Sequence, residues 1–165
     1  MAASLNELAG LYFAQGQYAA AEPLLKRSVA ILEKALGPDH PDVAIAVHNL
    51  ANLYRNLGKY AEAEPLYLRS LAIWEKALGP DHPYVGISLY ERANLYRDVG
   101  RYREAERLYI GSIRVFEKNP DENRPNLAEA LENYILLLRK MNRTAEVDKF
   151  EVRLKAIRRA PGPKR

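Results

Sequence analysis

The sequence predicts an all-α solenoid of four helix pairs, and three observations carry that prediction. Shifted against itself by 42 residues, the chain aligns 5–46 with 47–88 at 26 identical positions of 42, and 47–88 with 89–130 at 16 of 42. Self-similarity at a fixed period of this length marks a stack of supersecondary units. Within each period the apolar residues recur at helical spacing. Between periods the punctuation Gly37-Pro38-Asp39-His40-Pro41 returns as Gly79-Pro80-Asp81-His82-Pro83. It reads as a glycine stop, a proline that cannot extend the helix, a capping residue, and a proline at the first helical position.

Each period resolves into a helix A and a helix B. The expected spans are 4–15 and 17–36, 41–57 and 59–78, 83–99 and 101–118, 125–141 and 143–159, giving repeats at about 1–40, 41–82, 83–124 and 125–159 within one domain, 1–159. The first period lacks the Pro-Asp-Val-Ala opening of its siblings, so the chain is expected to begin inside a helix A, as a segment cut from a longer array would. In 17–36 and 59–78, Pro23 and Pro65 fall in the second turn, where a missing N–H and a ring clash predict a local kink. Val43, Val47, Leu50, Ala51, Tyr54 and Leu57 give 41–57 its 3.6-residue stripe. Gly58 is expected to end that helix in the left-handed conformation, with Gly16, Gly100 and Asn142 at the same register. The wider stripe of 59–78, which includes Tyr67, Ser70, Leu71 and Trp74, suits a helix packed on both sides. Gly111, inside 101–118, is expected to cost ~1 kcal/mol against alanine unless a close helix contact needs it. The last helix, 143–159, departs most from the repeat and reads as a polar cap. The tail 160–165, Ala160-Pro161-Gly162-Pro163-Lys164-Arg165, is expected to be disordered.

The net charge of +4 is concentrated at one end. Residues 153–165 hold six basic side chains and no acidic one, leaving 19 basic against 21 acidic in 1–152, a balance of −2. A nearly neutral body without aromatics beside its charges disfavours nucleic-acid binding, which would rest on the tail alone. Cysteine is absent, so disulfides and thiolate metal sites are excluded, in keeping with a reducing, cytoplasmic setting. No apolar run reaches the ~18 residues of a membrane span, and the first residues lack the regions of a signal peptide.

Catalytic patterns are missing: there is no G-x-G-x-x-G, G-x-x-x-x-G-K-[ST], H-E-x-x-H or G-x-S-x-G. No enzyme activity, cofactor or metal is expected. His40 and His82 each sit in a turn beside proline with no second ligand at i+4, so they read as capping residues rather than metal ligands. The column Leu32, Trp74, Phe116 reads as packing between repeats.

Val47-x2-Leu50-Ala51-x2-Tyr54 followed by Ala63-x3-Tyr67 resembles the tetratricopeptide pattern W-x2-L-G-x2-Y and A-x3-F. With its 42-residue period and the strings E-A-E-P-L-Y and E-K-A-L-G-P-D-H-P, the chain is similar to the kinesin light chain type of this repeat, without that protein's coiled-coil heptads. The resemblance implies a right-handed superhelix of four tetratricopeptide-like pairs, with the A helices lining a concave groove and the B helices the convex back. Register then places four columns toward the groove: Asn6, His48, Tyr90, Glu132; Glu7, Asn49, Glu91, Asn133; Gly10, Asn52, Asn94, Leu136; and Phe13, Arg55, Arg97, Arg139.

The candidate peptide-binding residues are Asn6, His48, Asn49, Asn52, Arg55, Tyr90, Asn94, Arg97, Asn133 and Arg139. Amides hydrogen-bond an extended peptide backbone, and arginine forks onto carboxylate. The expected function is therefore a module that binds an extended, acidic peptide segment of a partner protein, with an apolar anchor near Tyr90. The three arginines also read as ordinary solvated helix ends. The alternatives are a structural spacer or self-associating scaffold, as a monomer or weak homo-oligomer, and, behind these, nucleic-acid contact through the tail. Arg92 stands where Leu8 and Leu50 stand, so it is expected to pair with Glu129 or Glu132, or to turn into the groove.

Overall fold

The computed structural model describes residues 1–159; the expected disordered tail, 160–165, lies outside the described residues. Among these there are eight α-helices and no strand: α1 (Ala2–Ala14), α2 (Tyr18–Leu36), α3 (Pro41–Asn56), α4 (Tyr60–Leu78), α5 (Pro83–Asp98), α6 (Tyr102–Glu117), α7 (Arg124–Lys140) and α8 (Thr144–Arg159). The first helix starts two residues earlier than its sequence suggests, because Met1 supplies the cap and its carbonyl accepts from the Leu5 N–H at 3.1 Å.

The helices form two compact units, Met1–Gly79 and Pro80–Arg165. In the first, α1 packs on α2, α2 on α3 and α3 on α4; in the second, α5 packs on α6, α6 on α7 and α7 on α8, with α5 also touching α7.

Every helix A ends the same way. Gly16, Gly58, Gly100 and Asn142 have φ of 71°, 72°, 80° and 57°. In each case that residue's N–H and the next one's reach back to two carbonyls of the closing turn; at Gly58 the bonds are 3.0 Å to Arg55 and, from Lys59, 2.8 Å to Tyr54. This is the Schellman arrangement, which satisfies carbonyls the helix leaves orphaned.

The turns between repeats are capped from the other side. His40 Nδ1 accepts from the Asp42 N–H at 3.1 Å and His82 Nδ1 from the Tyr84 N–H at 3.2 Å, with Pro41 and Pro83 opening α3 and α5. Gly37 and Gly79, which close α2 and α4, share φ 87° with ψ 158° and 159°, a region open essentially to glycine alone. Pro23 and Pro65 stand inside helices that run on unbroken past them.

Tyr67 and Trp74 from α4 are buried with Val43, Val47 and Leu53 of α3; Tyr109 and Phe116 from α6 are buried in the second unit, as are Leu127, Leu131, Tyr134, Leu137 and Leu138 of α7. Each such side chain contributes about 1.5–3 kcal/mol on leaving water. Ser28, Ser70 and Ser112 are fully buried: Ser28 and Ser112 donate across to the carbonyls of Ala2 on α1 (3.2 Å) and Gly86 on α5 (2.8 Å), while Ser70 donates within α4 to the Tyr67 carbonyl (3.1 Å).

Three glycine substitutions separate these effects. Gly79→Ala forces a Cβ into a glycine-only conformation and is expected to lower stability by about 1–3 kcal/mol. A Cβ on Gly86 would meet the Phe116 ring at 2.6 Å, so Gly86→Ala also destabilises, whereas one on Gly111 meets only Leu89 Cδ1 at 3.4 Å. Gly111→Ala should therefore raise stability by about 0.5–1 kcal/mol, the helix-propensity gain. Urea unfolding of the three variants measures all of this.

Candidate functional site

In the first unit three of the expected residues meet. Asn6 from α1 and Asn49 and Asn52 from α3 line one cleft with Ala9, Gly10, Phe13 and Leu25, enclosing about 140 Å³. No charged side chain lines it. Asn6 Oδ1 is buried without a hydrogen-bond partner, and Asn52 Oδ1 accepts from the Tyr67 hydroxyl at 2.6 Å. Arg55 occupies the last turn of α3, half-buried.

His48 does not face this cleft. It is 5% exposed, with its ring 5.3 Å from Tyr67 and 5.2 Å from Trp74, centroid to centroid, and neither nitrogen has a hydrogen-bond partner. The side chain points to α4 instead, where it packs as an aromatic plate. Burial, with a smaller contribution from the positive charge of Arg55, lowers its pKa from 6.5 to about 3.

In the second unit the expected residues are largely tied to one another. The buried Tyr90 hydroxyl donates to Glu129 Oε1 at 2.9 Å and accepts from Asn133 Nδ2 at 2.8 Å. Asn133 Oδ1 accepts from Arg97 Nη1 at 2.5 Å, and the same guanidinium lies 3.3 Å from Asp98. Arg97 is consequently only 17% exposed. Asn94 is buried, donating to Glu91 Oε2 at 3.2 Å and accepting from the Tyr109 hydroxyl at 2.5 Å. Burial pushes the Tyr90 and Tyr109 hydroxyls upward in pKa, so both remain protonated donors. Tyr90 is thus a member of the α5–α7 network.

Arg139 stands apart, 56% exposed and paired with Glu151 of α8 at 2.5 Å. It borders a wider cleft of about 410 Å³ with Ile135, Leu136, Leu154 and the Glu132–Arg158 pair. Arg92 takes neither expected carboxylate: Glu129 accepts from Tyr90 and Glu132 from Arg158. Its guanidinium lies 5.9 Å from the Tyr96 ring on its own helix, a cation–π contact.

Sequence reasoning missed Leu25 as a wall of the first cleft, because a leucine in a helix B reads as core. It also missed Arg143, which forks onto Glu146 and reaches Glu106 while Glu106 accepts from the Tyr134 hydroxyl at 3.0 Å. Among the described residues no group of three His, Asp or Glu side chains is placed to share a metal ion, and no helix is long and apolar enough to cross a membrane.

The buried histidine gives a pH dependence. A folded-state pKa below the unfolded value means His48 contributes stability that is fully present above pH 6.5 and is lost as the pH falls toward 3. The carboxylates Glu22, Asp39, Glu104 and Glu146 also have lowered pKa values, so their contributions fade below about 4.5. Between pH 6.5 and 4.5 the loss is expected to follow His48, up to ~1.4 kcal/mol per pH unit. Thermal unfolding across that window should show this slope, and His48→Phe should flatten it.

The tetratricopeptide repeat family profile matches residues 1–64, 42–109 and 85–160. No curated protein matches significantly. A kinesin light chain-like protein of Podosopora anserina with nearly identical tetratricopeptide-like repeats has a similar structure, at 29% identity and TM-score 0.76, over 94% of this chain and 74% of that one. BtubC (BKLC) from P. vanneervenii matches 99% of this chain and 67% of its own at 19% identity and TM-score 0.84. Aspartyl phosphate phosphatase F from Bacillus subtilis shares the fold at 15% identity and TM-score 0.84, over 94% of this chain and 39% of that one. Tetratricopeptide repeats are protein–protein interaction modules and typically non-catalytic scaffolds. The chain belongs to the tetratricopeptide repeat family, as an all-α repeat solenoid whose 42-residue units are of the kinesin light chain type.

Proposed function

We propose that the chain is a non-catalytic cytoplasmic module that holds an extended, acidic peptide segment of a partner protein against its A helices. The observation that carries this reading is the uncharged cleft framed by Asn6, Asn49 and Asn52. Side-chain amides offer both a donor and an acceptor to a peptide bond, so they hold an extended backbone without selecting its sequence. Arginine supplies the preference for acidic residues. Of the three on the shared register, Arg139 is the most available, since a ligand carboxylate can displace Glu151 from its exposed guanidinium. Arg97 supports the reading indirectly, holding Asn133 in place. The last helix serves as the polar cap of the repeat domain: Glu151 stands where Leu25, Tyr67 and Tyr109 stand in earlier repeats.

A second reading, self-association as a scaffold, has its own observation. Leu11 on α1 is 61% exposed, whereas its repeat equivalent Leu53 on α3 is fully buried, and Leu8 and Leu50 differ in the same direction. Light scattering across a concentration series decides whether that outer face of α1 pairs with another copy.

The peptide reading is tested by selecting binders from an array of acidic peptides and measuring them by calorimetry. Asn49→Ala is expected to weaken the best binder about tenfold and Arg139→Glu by more, with raised salt weakening the wild type. Unchanged affinity in both variants, folded by circular dichroism, would reject it.

A further inference from the structure

We propose that the cleft of the first unit is a receptor for a phenol ring, and that it takes a tyrosine side chain of the partner. This rests on the reading of the A helices as the peptide-binding face.

The inference comes from comparing repeats within each unit. In the second repeat the Tyr67 hydroxyl crosses from helix B to donate to Asn52 on helix A, and in the third Tyr109 does the same to Asn94. Both pairs are 15 residues apart. The first repeat has Leu25 and Gly10 at those positions, so the phenol and its amide acceptor are both missing. A third replacement adds to them: Asn6 stands where the rings of His48 and Tyr90 pack beside Tyr67 and Tyr109.

The cleft of about 140 Å³ is lined by these three substituted residues, Asn6, Gly10 and Leu25. Where its sibling repeats fill the space with their own aromatic rings, the first repeat leaves it open. A cavity of about 150 Å³ is enough to admit benzene, so a single six-membered ring fits and an indole is too large.

The polar groups select a hydroxylated ring over a plain one. Asn6 lines the cleft and its Oδ1 is buried without a hydrogen-bond partner, so a turn of this side chain toward a bound ring lets it accept from a phenol O–H. Asn52 Oδ1 is already occupied by Tyr67, leaving its Nδ2 as a donor to the phenol oxygen. Ala9 and Leu25, both buried, form an apolar floor, while exposed Gly10 marks the mouth. Without a Cβ contact within 4 Å at Gly10, nothing obstructs entry there. A charged side chain would find no counter-ion among the lining residues.

The probe is p-cresol, the tyrosine side chain itself, titrated into the full chain labelled for amide NMR, with toluene as the ring lacking a hydroxyl. Saturable shifts at Gly10, Asn49 and Asn52 are expected, with p-cresol binding about five- to tenfold tighter than toluene. Asn6→Leu should reduce that preference to near unity. Gly10→Asn combined with Leu25→Tyr restores the pair of the other repeats, fills the cleft and should abolish the shifts. Leu25→Phe is the simpler filling variant should the double one not fold.

Shifts that are absent, spread over the surface, or retained in a folded filling variant overturn the proposal, and so does equal affinity for p-cresol and toluene. An acidic peptide whose affinity still depends on Arg139 while p-cresol does not bind would leave the peptide reading standing and end this one.

Discussion

A helix A in this chain is apolar on two flanks, so a single helix pair leaves part of its core facing water until a neighbouring pair covers it. In the first unit α3 shows both flanks in use. Leu50 and Leu53 close on Ala9, Ala21 and Leu25 of the preceding pair, while His48 turns toward Tyr67 and Trp74 of its own. Stability in such an array is a sum of pair and interface contributions, which is why the same residues recur at the same register. The exposed Leu11 on α1 is the same flank without its cover.

Stacking identical pairs requires close backbone approach and clean chain reversal, and small or specially shaped residues provide both. Buried serines donate to carbonyls across helices and so keep a polar atom satisfied where a larger side chain would hold the helices apart. Gly86 leaves room for the Phe116 ring. Ion pairs recur with the period as well: Asp39 with Lys76 and Asp81 with Lys118, Glu33 with Arg69 and Glu117 with Arg153. Most of these side chains are well exposed, and such pairs contribute ~0–1 kcal/mol each. Burial, rather than these pairs, holds the fold.

The polar residues of the A helices serve two different ends in the two units. In the second, Tyr90, Asn133, Arg97 and Glu129 bond to one another, so the face is rigid and largely satisfied. In the first, the amides frame an open cleft, and the Oδ1 of one of them, Asn6, is buried without a partner. Groups already bonded internally must give up those bonds before holding a ligand, whereas an unsatisfied group gains by binding. The unsatisfied amide oxygen thus lies where the repeat departs from its own consensus, at Asn6, beside Gly10 and Leu25.

The period, the helix pairs, their capped ends and the capping histidines were legible in the sequence, because they depend on local chemistry repeated at a fixed distance. The trio Asn6, Asn49 and Asn52 was legible for the same reason, since register along a helix determines which residues share a face. Register alone places His48 beside Asn49 on a common arc, yet which of two adjacent side chains is covered depends on what the neighbouring helix presents. Here it presents Tyr67 and Trp74, and the ring is buried. Arg97 and Arg92 diverge in the same way: register puts Arg97 in the groove, and sequence offers Arg92 either Glu129 or Glu132 or the groove, yet Arg97 bonds Asn133 and Arg92 lies 5.9 Å from the Tyr96 ring. Repetition fixes the backbone from sequence alone; side-chain partners come from helices distant in the chain, and only the packed structure decides which polar groups are spent on the fold.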